Sequence, residues 1–188
     1  MGLDMYAARR LYVKQWDHQS PDECYKVQIA HGDKPVFGIQ SDRISSVEEE
    51  TMYWRKANHI HGWIVDNVQD GEDNCGTYHV DWDQLRALLV TCDHVIKASK
   101  LVDGMVDNGT VYDKEHPKGL VQRTAGKVID DATVAKAILP ARQGFFFGST
   151  EYDEDYLDEV VSTYDWAFRM LADHKNGVPG DIYYSSSW

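Results

Sequence analysis

Two stretches of this sequence concentrate side chains of the types that hold small ligands. Trp54, Arg55, Lys56, Asn58 and His61 form the first, and Phe146, Ser149 and Tyr152 form the second. Aromatic planes stack on bases, and guanidinium and ammonium groups take phosphates. An amide offers donors and an acceptor to a base or ribose, and free N–H groups at a helix start bind anions. If the two stretches meet, they make a site for a small nucleotide-derived ligand. Trp54 and Phe146 would then stack or pack, Arg55 and Lys56 would supply charge, and Asn58 would read base or ribose. Ser149 and Tyr152 would close the opposite bank. His61 carries an imidazole whose ordinary pKa suits a general base. That keeps a second reading open, a phosphoesterase or nucleotide-modifying enzyme.

Spacing argues against several other chemistries. His59 and His61 make an HxH pair, but on a helix residues i and i+2 point about 200° apart and cannot share one ion. Asp70, Glu72 and Asp73 lie in an acidic loop that lacks the terminal glutamate of a calcium loop. Cys24, Cys75 and Cys92 show no zinc spacing and no close pair, as expected of free thiols in a reducing compartment. Ser149 stands where a nucleophile could, before a helix, but no GxSxG surrounds it, and a capping role explains it better. Neither GxGxxG nor GxxxxGK[ST] occurs. No metal and no cofactor is expected.

The element expected to carry the first stretch is a helix over Ser46–Gln69. Ser45 and Ser46 each precede a glutamate at capping-box spacing, and Glu48–Glu50 would favour the positive end of the dipole. Tyr53, Ala57, Ile60, Ile64 and Val68 fall on one apolar stripe. Trp54, Asn58, His61 and Val65 form a second stripe beside it, either a half-buried flank or one wall of a pocket. Arg55, His59, Gly62 and Asp66 fall on the expected solvent side.

Around it, Leu3–Val13 reads as a strand, and Ser20-Pro21-Asp22 as a corner. Tyr25–Ala30 alternates, and His31-Gly32-Asp33-Lys34 is a hairpin turn into Pro35–Gln40. Thr77–Val80 is a short strand, and Asp81 with Gln84 caps a helix whose stripe is Leu85, Leu88, Leu89, Cys92, Val95 and Ile96. Residues 99–127 are the least regular part, a long loop or insertion with a small hairpin about Asn108-Gly109. Asp130 or Asp131 caps a short helix through Ile138, ended by Pro140. Gly144–Ser149 (GFFFGS) reads as a buried strand. Tyr156–His174 reads as a final helix burying Leu157, Val160, Val161, Tyr164, Phe168 and Leu171. Ile182-Tyr183-Tyr184 could add an edge strand. The order fits a single α+β domain, an antiparallel sheet with about three main helices packed on it.

The chain has 188 residues, six Trp, eleven Tyr and a formal charge of −12. Such a surface repels phosphate backbones, so general nucleic-acid binding is not expected. An acidic protein-binding inhibitor remains a third reading, using Asp153, Glu154, Asp155, Asp158 and Glu159. A dipole-favoured helix start accounts for the same run. No apolar run is long enough for a membrane span and no leader is visible, so a cytoplasmic protein is expected. The aromatic surplus serves either a pocket or a homo-oligomer interface.

Four runs carry a family resemblance: GLDMY (Gly2–Tyr6), YWRKAN-IH-W (Tyr53–Trp63), VQDGEDNCG (Val68–Gly76) and LP…GFFFGSTEYD (Leu139–Asp153). Together they resemble a widespread family of small bacteriophage proteins without assigned function, over most of the chain except residues 99–127. Members often carry an automated label of phosphoglycerate kinase. A chain of this length with no phosphate loop is too small for that two-domain enzyme. The resemblance implies an accessory protein acting in the cytoplasm of an infected bacterium. Such proteins often counter host defence, some by sequestering nucleotide second messengers without turning them over.

Overall fold

The computed structural model describes residues 2–111, 114–115, 117, 119–144 and 147–188. Its architecture is α+β. Strands β1 (Asp4–Tyr12), β4 (Ser46–Arg55), β5 (Thr77–Val80) and β8 (Asp181–Ser187) form an antiparallel sheet in the order β4-β1-β8-β5. The helices are α1 (Asn58–Asn67), α2 (Trp82–Ala98), the short α3 (Thr133–Ile138) and α4 (Glu154–Lys175). Alternation on the strands decides which face is covered. Met5 pairs with Trp54 on one side and Ser186 on the other, and Ala7 pairs with Tyr184. These side chains are all buried, so one face of the sheet receives α1, α2 and α4. The core is their shared filling: Leu3, Met5, Trp54, Ile60, Leu85, Leu88, Trp166 and Ile182. No helix among the described residues is long and apolar enough to cross a membrane.

The helix expected over Ser46–Gln69 is two elements. Ser46–Arg55 is the edge strand β4, and only Asn58–Asn67 is helical. The glutamates are edge-strand charges, not a first turn. Glu48 and Glu49 lie opposite Arg10 and Arg9 in the register, and Arg10 pairs with Glu48 at 2.8 Å. Charges of this kind discourage pairing with another chain. Thr51, Tyr53 and Trp54 have the branched and aromatic character of strands. The 3.6-residue stripe linking Tyr53 to Ile60 was a coincidence across the break at Lys56. A bulge between Ala7 and Ala8 leaves Thr51 outside the register. Its hydroxyl donates to Ala7 O at 3.1 Å and accepts from Trp166 Nε1 at 3.1 Å, so the irregularity is satisfied.

Several other expectations are corrected. His59 and Gly62 are buried rather than solvent-facing, because Tyr156 packs 4.2 Å from the His59 ring and the Arg142 side chain lies over Gly62. Tyr25–Ala30 and Pro35–Gln40 do not extend the main sheet. They carry only the two-residue strands β2 (Ala30–His31) and β3 (Lys34–Pro35), joined at the expected turn, with Phe37 exposed. Residues 99–127 are not a loose loop but mostly a ribbon of β6 (Leu101–Val111) and β7 (Leu120–Ile129). Asn108-Gly109 sits at a bulge within β6, with Gly109 at φ 85°, rather than at its turn. Gly144, Phe147, Gly148 and Ser149 are not in a strand, and Phe147 is only half-buried. Phe145 and Phe146 lie outside the described residues.

The final helix turns a different face inward. Tyr156, Val160, Thr163, Trp166, Ala167 and Met170 are buried, while Val161 and Phe168 are exposed. β8 is a central strand and not an edge, since Ile182 and Tyr184 alternate into the core between β1 and β5. Thr77–Val80 and the Asp81/Gln84 capping box are as expected, with Gln84 N donating to Asp81 Oδ1 at 2.7 Å.

Candidate functional site

The centre of the site is a sharp break between β4 and α1. Lys56 takes φ 63°, a left-handed conformation that costs a non-glycine residue about 1–2 kcal/mol. Ala57 follows at φ −72° and ψ 66°, an inverse γ-turn closed by Asn58 N donating to Lys56 O at 2.7 Å. Lys56 N donates to Leu3 O at 2.7 Å, which pins the break to the sheet. Backbone strain held in this way is characteristic of functional sites.

Asn58 then fastens the second stretch to the first. Its Nδ2 donates to Phe147 O at 3.0 Å and to Ser149 O at 2.7 Å, and its Oδ1 accepts from Arg142 N at 2.8 Å. The amide is buried, while its partners lie on the half-buried Arg142 and Phe147 and the exposed Ser149, so the three bonds tie the cleft wall to the interior. Gly148, at φ 92°, passes close enough to Lys56 that an added Cβ would stand 2.8 Å from Lys56 Cβ. Only glycine fits there.

Between these segments and the start of α4 lies a cleft of about 450 Å³, within the range of small-molecule sites. Arg55 and Lys56 stand on one side, Gly148 and Ser149 on another, and His59 and Tyr156 line it further in. The acids Glu151, Asp153, Asp155, Asp158 and Glu159 complete the lining. Two exposed cations thus share a cleft with five carboxylates. Neither Arg55 nor Lys56 makes an ion pair among the described residues, whereas Glu151 pairs with Arg123 at 3.1 Å.

Asp153 caps α4 by accepting from Tyr156 N at 3.0 Å. Burial raises its pKa from the usual carboxylate value, against the lowering effect of that N–H. Burial raises Glu159 as well, reinforced by the neighbouring charges of Asp155 and Asp158.

His59 is 4% exposed, and its Nε2 has no hydrogen-bond partner among the described residues. Its ring lies 4.2 Å from that of Tyr156. Burial lowers its pKa to about 3, so the ring is neutral at physiological pH. The unfolded chain protonates this histidine below about pH 6.5, whereas the folded chain does not until about pH 3. The lowered folded value means that stability is lost as pH falls through this window. We expect His59→Phe to reduce the slope of unfolding free energy against pH between about 6.5 and 4. Denaturant melts at successive pH values measure it, and an unchanged slope would contradict the assignment.

The predicted residues are divided by this geometry. Arg55, Lys56 and Ser149 line the cleft, and Asn58 holds its wall from behind. Trp54 does not reach it. This side chain is 1% exposed in the core, donating from Nε1 to Thr163 Oγ1 at 2.8 Å and packing edge-on against Trp166 at 5.1 Å. β alternation turns it away from Arg55, opposite to the stacking role expected of it. His61 is also 1% exposed and outside the cleft. Its Nδ1 lies 2.7 Å from Tyr184 Oη and its Nε2 3.0 Å from Asp73 Oδ2. Both nitrogens are engaged, which leaves none for a substrate. Tyr152 sits behind the wall, its hydroxyl accepting from Ala141 N at 3.0 Å and its ring 4.9 Å from Tyr156. Phe146 lies outside the described residues. Ser149 Oγ accepts from Glu151 N at 3.0 Å, a local turn contact and not a nucleophile's pairing with a base.

Sequence reasoning missed His59 and Tyr156 as cleft residues. It read the acids from Asp153 to Glu159 as a solvated, dipole-favoured helix start or as the face of an acidic protein-binding inhibitor. Their i, i+3 and i+4 spacing places Asp155, Asp158 and Glu159 near one another on α4, a signal open to either reading. Among the described residues no group of three or more His, Cys, Asp or Glu is arranged to hold a metal ion. No protein-family model, no curated protein and no solved structure matches this chain.

Proposed function

We propose that this protein binds, without turnover, a small nucleotide-derived ligand in the cleft between Arg55-Lys56 and the start of α4. The observation that carries the reading is the split lining: two cations with no ion-pair partner among the described residues on one side, and on the other acids with a buried imidazole whose Nε2 has no hydrogen-bond partner among the described residues. The cations suit a phosphate, and carboxylates accept from ribose hydroxyls and base N–H groups. With Glu151 paired to Arg123, four carboxylates still face two cations, which disfavours a phosphate-rich ligand such as a triphosphate. A monophosphate or phosphodiester group is the better match.

Binding is favoured over catalysis because the cleft's imidazole is a poor proton acceptor. A histidine with pKa about 3 is far from the range in which general bases work near neutrality. It remains a competent hydrogen-bond partner. The resemblance to bacteriophage accessory proteins suggests a biological role, sequestration of a nucleotide signal made by a host defence system.

Isothermal titration against nucleoside monophosphates, cyclic dinucleotides and ADP-ribose derivatives tests the proposal, with chromatography of the recovered ligand. Saturable binding of one of these, recovered intact, is expected; no binding to any of them rejects it, and a changed ligand makes the protein an enzyme. Arg55 is exposed at the end of β4. Arg55→Ala is expected to weaken binding about tenfold or more, as loss of a charge-assisted bond of about 1.5–3 kcal/mol implies, while leaving the unfolding midpoint nearly unchanged.

A further inference from the structure

The outward face of α4 has features of a contact surface. Val161 is 37% exposed and Phe168 57% exposed, although both belong to an apolar stripe of the kind that normally faces a core. Phe168 stacks on Tyr164 at 6.3 Å, and shallow hollows flank it, lined by Met52, Ser162 and Arg169 among others. Asp165 and Arg169 lie one turn apart on this face, both exposed. At i, i+4 they are placed to pair with each other, but they do not. Arg169 Nε donates to the backbone oxygen of Asp165 at 3.3 Å, and neither charged group makes an ion pair among the described residues.

We propose that this face is a symmetric interface with a second copy of the chain, the two α4 helices running antiparallel about a two-fold axis beside Ala167. The charges commit the occupant. Turned about that point, Asp165 of each copy meets Arg169 of the other, so both unpaired charges are answered by the same surface. A C2 contact must be self-complementary in this way. Phe168 lies one residue from the axis, and the two rings meet at the centre, where an interface keeps its aromatic anchors. Ser162 and Ala172 face each other on either side and are small enough for close approach.

The charge distribution sets the direction. Between Val161 and Ala172 the helix carries one acid and one base, neutral ground on a chain of charge −12. Its first turns carry Glu154, Asp155, Asp158 and Glu159. A parallel pair would stack these acids on one another. The antiparallel pair separates each acid from its own counterpart by roughly 24–39 Å along the helix axis, well beyond the screening length at physiological salt. This proposal is independent of the cleft's ligand.

Sedimentation equilibrium of the full chain, from about 1 to 100 μM, tests it. A contact one helix wide falls at the small end of specific interfaces, so a dissociation constant on the order of micromolar is expected. Phe168→Glu is expected to raise it about thirtyfold or more, as for a central anchor. Asp165→Arg and Arg169→Asp each place like charges opposite each other and are expected to weaken the dimer about tenfold. The double exchange restores opposite pairs and is expected to recover affinity to within about threefold of the native chain. A native chain that stays monomeric at 100 μM overturns the proposal, as does a dimer indifferent to Phe168→Glu. A double exchange no better than the single ones overturns the antiparallel register.

Discussion

Trp54→Ala is expected to destabilise the fold by about 3–5 kcal/mol, the range for removing a large aromatic from a packed interior. This side chain is 1% exposed, meets Trp166 edge-on, and ends in a bond to Thr163 Oγ1. Truncation therefore opens a cavity at the contact between the sheet and α4, and little can move to fill it. Thr163 keeps a partner, because its hydroxyl donates to Glu159 O at 2.7 Å. The loss is thus mainly one of packing. Denaturant unfolding measures it, and for a domain of this size the melting temperature should fall by roughly 6–20 °C. Trp54→Phe retains a ring and is expected to cost less, with ligand affinity unaltered. A variant that kept full stability but lost affinity would return Trp54 to the binding site.

Asn58→Ala is the second large effect. One amide satisfies Phe147 O, Ser149 O and Arg142 N, and truncation leaves three backbone groups without that partner. Buried groups left unpaired cost about 1–3 kcal/mol each. The segment can shift and admit water, so a total of roughly 3 kcal/mol is expected rather than the full sum. The consequence for the cleft is sharper. Without this clasp, Gly148 and Ser149 are no longer held against Lys56, and one wall loses its position. Hydrogen exchange should show faster protection loss at residues 147–149 than in the sheet, and binding should weaken more than in Arg55→Ala. Asn58→Asp separates the contributions, since a carboxylate can still accept from Arg142 N but cannot donate to the two carbonyls. An Asn58→Ala protein with native stability and unchanged exchange would refute the role.

How far the site could be read from residues alone differs between its two halves. Composition marks the two stretches as parts of a site only on the condition that they meet, and the structure brings Lys56 against Gly148 and Asn58 against Phe147 and Ser149. The individual roles were not legible. Trp54, Asn58 and His61 fall on one stripe if the segment is a continuous helix, but the chain breaks at Lys56. Trp54 then obeys a period of two, and Asn58 and His61 a period of 3.6. Ser46–Arg55 satisfies both patterns over a short window, and only pairing with β1 selects the strand. A left-handed lysine leaves no mark in a sequence.

Taken alone, the sequence determined the α+β class, the short strand Thr77–Val80, the Asp81 cap of α2, the β2–β3 turn and the helical character of the last long segment. Each rests on contacts within a few residues, which composition and spacing encode directly. Tertiary structure decided the rest. It made Ser46–Arg55 an edge strand, moved β8 to the sheet's centre, turned α4 so that Trp166 is buried and Phe168 exposed, and gathered two cations and five acids around one cleft. These outcomes depend on partners far away in the chain. A side chain's face is chosen by what packs against it, and that choice is not contained in any local window.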